Sequence, residues 1–85
     1  MVDDSFNFGE ISAHLDHLID TDPDEALRQA RALSLEGPNR FNKMQLRAAT
    51  LVNAGVQRQQ QDAINDGLAL YRELHSQYPD RKSVV

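Results

Sequence analysis

Two histidines, His14 and His17, stand three residues apart, with Asp16 between them and Asp20 a turn further on. On a helix such an i, i+3 pair faces one way and binds a metal ion if carboxylates complete the site. Spacing supplies no third ligand, and Leu15 and Leu18 commit the same helix to a core. Boundary or surface histidines are therefore the expectation, with no metal. His75 is alone and is expected to pack beside Leu74 or face water. No serine–histidine–acid grouping, glycine-rich phosphate loop or paired-carboxylate pattern stands out. Ser34 sits in a helical stretch beside apolar residues, and Gly37 and Gly55 are single. Neither catalysis nor a cofactor is expected.

Cations are the next candidates. Arg40, Lys43 and Arg47 fall at i, i+3 and i+7, on one side of a helix, beside a Phe41–Met44–Ala48 apolar stripe. The simplest expectation for them is a solvated basic face. Charge is unevenly spread along the chain. Met1 to Leu27 carries eight acids (Asp3, Asp4, Glu10, Asp16, Asp20, Asp22, Asp24, Glu25) and no lysine or arginine, whereas the remainder is net +4 and the whole −4. Phosphate binding needs a clustered basic surface, so nucleic acid is not the expected partner. An acidic first helix suits a basic later one, or a head-to-tail contact between copies. Solvated faces account for the same pattern.

With 85 residues the chain is one domain or part of one, and its core must be efficient or shared. A hydrophobic content of 40% permits such a core. Without cysteine there is neither a disulfide framework nor a thiolate metal site. No apolar run approaches the roughly 20 residues of a membrane span. Asp3 and Asp4 stand where a signal peptide would carry basic residues. A cytoplasmic protein with no membrane contact is expected.

The elements that must position these groups read as four helices. Residues 1–7 are expected to fray up to Asn7, which looks like an N-cap with Glu10 as capping-box partner, and Phe6 and Ile11 are spaced as a hydrophobic staple. The first helix runs from about Phe8 to Asp20 with the stripe Ile11, Leu15, Leu18, Ile19. The second has both ends written into the sequence. Asp22 is the N-cap, Pro23 takes the first helical position, and Glu25 completes a capping box. Gly37-Pro38 is read as its stop near Glu36. Ala26, Leu27, Ala30 and Leu33 form its apolar face, Ala26, Ala30 and Ala32 allow a close neighbour, and Asp24 and Arg28 form an i, i+4 pair. Asn39 can cap a third helix carrying Phe41, Met44, Ala48, Leu51, Val52 and Gly55. The polar run Gln57–Gln61 marks a turn between Val56 and Gln61. The rival is one helix of nearly forty residues, which would need a partner along its whole length. A fourth helix runs from about Gln60 to Gln77, with Ile64, Leu68, Tyr71, Leu74 and Tyr78 on its apolar face and Tyr78-Pro79-Asp80 at its end. Residues 80–85 form a basic tail that reads as a cut linker.

Two helical hairpins of this length, ending Gly37-Pro38-Asn39 and Tyr78-Pro79-Asp80, constitute an internal repeat. Asp22, Glu25, Ala26, Leu27 and Pro38 in the first unit, and Leu51, Gly55, Gly67, Tyr71 and Pro79 in the second, resemble the tetratricopeptide-repeat pattern, although its glycine in the inter-helix turn is absent. The phrase Asp20–Arg28, with Asn53-Ala54-Gly55 and Leu70–Leu74, is similar to the N-terminal tetratricopeptide-like regions of bacterial signalling proteins such as diguanylate cyclases. No residue matches the cyclase active-site motif. The resemblance implies an all-α fold: two antiparallel helical hairpins stacked as a tetratricopeptide-like repeat over residues 8–79.

In that family the first helix of each pair lines a concave groove, so Arg40, Lys43 and Arg47 are candidates to hold an acidic peptide or a chain-terminal carboxylate. A stack of this kind usually needs about three repeats and two are present here. Ile64, Leu68, Tyr71, Leu74 and Tyr78 are thus the candidate self-association face, and a homodimer is expected. The expected function is a non-catalytic protein-interaction or regulatory module of a cytoplasmic bacterial signalling protein. The alternative is a stand-alone helical adaptor or dimeric bundle with no output domain.

Overall fold

Asn7 opens the first helix, α1 (Phe8–Thr21), and its side chain accepts the Glu10 N–H at 3.1 Å. This is the computed structural model of the protein, and it describes residues 7–37 and 39–79. Phe6, half of the expected staple, lies outside the described residues, as do the first six residues and the tail at 80–85. The helix closes on Asp22, whose N–H reaches the Leu18 carbonyl at 2.6 Å. The same Asp22 starts α2 (Pro23–Ala32), its carboxylate accepting the Glu25 N–H at 3.3 Å. One residue therefore ends one helix and begins the next, with Pro23 preset for the first turn.

The second helix ends four residues before the expected stop at Glu36. Leu33 turns extended, with φ −66° and ψ 122°, and residues 33–36 form a connector ahead of Gly37, which takes a left-handed φ of 79°. Ala32 is consequently exposed, while Ala26 and Ala30 are fully buried. The expected Asp24–Arg28 pair also resolves differently. Arg28 forks onto the Glu25 carboxylate, Nε to Oε1 at 2.9 Å and Nη2 to Oε2, and Asp24 instead accepts Arg58 Nε at 3.0 Å. The Arg28 guanidinium and then the Gln29 amide hold the Glu25 carboxyl below the usual range.

Asn39 precedes α3 (Arg40–Arg58) in a left-handed conformation, φ 64°, and its side chain does not cap the helix as expected. The polar glutamine run does hold the turn between the third and fourth helices. Gln59 is left-handed at φ 56°, Gln60 N–H bonds to Gly55 O at 2.8 Å, and Gln59 N–H to Val56 O at 3.2 Å. This is the Schellman pattern with glutamine in the place glycine usually takes. Chain α4 (Gln61–Gln77) follows at once.

The third helix touches each of the other three, and the fourth packs chiefly on it. Asp24 meeting Arg58 at one end and Ala30 meeting Arg47 towards the other make α2 and α3 antiparallel. Gly55 beside Ala63 and Phe41 against Tyr78 do the same for α3 and α4. Two core clusters result. Ile19, Ala26, Leu27, Ala30, Leu51, Ala54 and Ala63 join all four helices. Met44, Ala48, Tyr71 and Leu74 form the second, flanked by Phe41 and Tyr78 with ring centroids 5.2 Å apart at 81°. Small residues at 26, 30, 54 and 63 bring the helix axes close, while the larger side chains fill the ends. The described chain is thus all-helical, in four helices.

Candidate functional site

The three candidate cations do not form an open basic face. Arg47 lies half-buried on the side of α3 that meets the end of α2. Its Nε donates to Ala30 O at 3.0 Å and its Nη2 to Arg31 O. Arg40 Nη1 donates to Leu35 O at 3.2 Å and Lys43 Nζ to Glu36 O at 3.0 Å. Together they bind carbonyls at the end of α2 and in its connector, of which that of Ala30 also accepts the Leu33 N–H at 3.2 Å. Positive charge against the negative end of the α2 dipole adds to the effect. Hydrogen bonds to charged groups are worth about 1.5–3 kcal/mol each. Arg47→Ala is therefore expected to lower stability by about 1–3 kcal/mol. Urea unfolding measures this, and an unchanged midpoint would return Arg47 to a merely solvated role.

The opposite side of α3 is open. A groove of about 320 Å³ runs over it, with α3 as floor, α1 as one wall and α4 as the other. Phe8, Ser12 and Asp16 come from α1, spaced i, i+4, i+8 so that they form one row. Gln45, Leu46, Ala49, Thr50, Val52 and Asn53 come from α3, and Leu68 and Tyr71 from α4. Arg40, Lys43 and Arg47 are not among the lining residues. Phe8 is 37% exposed and Leu68 41%, an apolar residue on each wall. Asp16 is the one charged side chain in the lining at neutral pH. Thr50 is buried in the floor, and burial pushes the Tyr71 hydroxyl pKa up. The groove offers an apolar strip with polar groups at its edges.

Of the candidate self-association residues, Tyr71 and Leu74 are buried in the chain's own second core cluster and Ile64 and Tyr78 are half-buried. Leu68 alone of the five is exposed, and it belongs to the groove. His14 and His17 are exposed on α1, and among the described residues no group of three or more His, Cys, Asp or Glu is placed to hold a metal. A second hollow of about 360 Å³ lies among Arg31, Arg47, Leu51, Asp66 and Leu70, but its charges are already engaged. Arg31 pairs with Asp66 at 2.9 Å and Arg47 with the α2 carbonyls.

Nothing in the sequence joined Phe8, Ser12, Asp16, Gln45 and Asn53 in one site. The available signal was Phe8 itself, a large apolar residue that extends the Ile11–Leu15–Leu18–Ile19 stripe to the start of α1, and Val56 at the far end of α3, which is 60% exposed. No helix among the described residues is long and apolar enough to cross a membrane. Searches for similar proteins add no further constraint: no family model, no curated protein and no solved structure matches the chain.

Proposed function

We propose that this chain is a non-catalytic protein-interaction module, built as a tetratricopeptide-like stack of two helical hairpins, whose working surface is the groove over α3. The observation that carries the reading is the groove itself: a small-residue floor at Ala49 and Thr50 between part-exposed Phe8 and Leu68. A well-formed, mostly apolar concavity with a few polar groups is the default binding-site hypothesis. The contacts of α3 with both α1 and α2, and of α4 with α3, are those that stacked hairpins require. In a cytoplasmic bacterial signalling protein such a module would couple a partner's arrival to an output domain. Self-association belongs to the same reading, with Leu68 as the exposed remnant of the α4 stripe, and a two-fold homodimer as its form.

Leu68→Glu tests the proposal. Because Leu68 faces the groove, the variant is expected to melt within about 0.5 kcal/mol of the parent. It is expected to lose binding to helical peptides and to shift any monomer–dimer equilibrium seen by sedimentation towards monomer. A parent and variant that behave alike in both measurements would remove the groove as the working surface. The reading frame beyond Val85 separates a module joined to an output domain from a stand-alone adaptor.

A further inference from the structure

The charges that face outward are not those the composition suggests. Arg28 is paired with Glu25, Arg31 with Asp66 and Arg58 with Asp24. Arg40, Lys43 and Arg47 are bonded to backbone carbonyls of the α2 end and its connector. By contrast α1 carries Glu10, Asp16 and Asp20 and no lysine or arginine, and none of the three forms an ion pair with a described residue. Asp16 lies in the groove, and Asp20 continues the Ser12–Asp16 row one turn on. The α3 floor offers Gln45 and Asn53, both neutral. On α4 the cation nearest the lining in sequence is Arg72, which lies outside it.

Given the interaction role proposed above, we infer that the occupant of the groove is an amphipathic helix of a partner protein with lysine or arginine along the edge that meets α1. Size agrees with this. Gln45 to Asn53 spans about 12 Å along α3, and exposed Val56 extends the row to about 16 Å, the length of three helical turns. Apolar positions at i, i+3 or i+4 and i+7 on the incoming helix would meet Leu68, Phe8 and the Ala49 floor. Its basic edge would meet Asp16 and Asp20, which gives partner choice and fast, salt-sensitive association more than affinity. An acidic segment would instead face the like charge of Asp16 and Asp20.

Two labelled amphipathic helices of about 15 residues test this, one of leucine and lysine and one of leucine and glutamate, with identical leucine spacing. Each is titrated with the full chain at low and high salt and followed by fluorescence anisotropy. The lysine helix is expected to bind about tenfold or more tighter than the glutamate helix, with the difference shrinking in high salt. The double variant Asp16→Lys, Asp20→Lys is expected to remove or reverse the preference, Leu68→Glu to abolish binding, and Asp62→Lys, outside the lining, to leave it intact. Binding of the glutamate helix equally well, in a Leu68-dependent way, would overturn the basic partner while leaving the groove as a docking site. Loss of lysine-helix binding in Asp62→Lys as in the double variant, or its survival in Leu68→Glu, would reveal surface adsorption and overturn it too. No Leu68-dependent binding of either helix would remove the interaction role along with it.

Discussion

Gly67→Ala is expected to destabilise the protein by about 1–3 kcal/mol, although alanine is the better helix former. A Cβ at position 67 would stand 2.6 Å from Val52 Cγ2 and 2.8 Å from the Ala48 carbonyl oxygen. The valine methyl can rotate aside. The carbonyl belongs to the backbone of α3, so the two helices must separate to admit the methyl group. The propensity gain of up to about 1 kcal/mol for replacing an interior glycine works in the opposite direction and does not cover the loss. Gly9→Ala is the control, because its nearest neighbour, Asn7 Oδ1, is at 3.6 Å and the position is in the exposed first turn of α1. Denaturant unfolding of both variants separates propensity from packing. A Gly67→Ala protein as stable as the parent would mean that α3 and α4 are not seated this closely.

Leu74→Ala is expected to cost about 2–5 kcal/mol, the range for deleting a fully enclosed leucine. Leu74 is 1% exposed and packs with Met44, Ala48 and Tyr71. In a domain of this size each kcal/mol moves the melting point by about 4–8 °C, so a fall of at least about 8 °C is expected. Leu68→Ala, one helical stripe away and part-exposed, is expected to change stability by no more than about 0.5 kcal/mol. Calorimetry of the pair separates the residues that hold α4 in place from those that α4 offers outward. Equal effects would merge the two roles.

Local signals in the sequence were legible because their partners are local. Asn7 and Asp22 cap helices through bonds to residues three positions on, and both appear where the residue types place them. The turn after α3 follows from the polar run at 57–61, and the Schellman bonds of Gln59 and Gln60 explain how it forms without glycine. The end of α2 was not legible. Arg47 binds the Ala30 and Arg31 carbonyls at that end from 16–17 residues away in sequence, and Arg40 and Lys43 bind those of Leu35 and Glu36 in the connector. These bonds aim the three cations at backbone carbonyls, which their spacing alone does not reveal. Asp24 likewise found Arg58 instead of nearby Arg28. The groove was hidden for a related reason. Each of its walls is read from a different helix, and only packing brings Phe8 and Leu68 to one concavity.

Asp22 serves two helices at once, and this gives α1 a particular dynamic character. The helix is joined to α2 through Asp22, packs on α2 and α3, and buries only Leu15 and Ile19, whereas α3 is enclosed along most of its length. Opening free energies within one protein run from near zero at weakly anchored elements up to the global value in the core. Amide protons of α1 are thus expected to exchange with solvent deuterium before those of α3, and α1 is also a wall of the groove. An occupant that bridges α1 and α4 would slow exchange in a helix whose amides it never touches, and the protection it confers there would report occupancy of the groove.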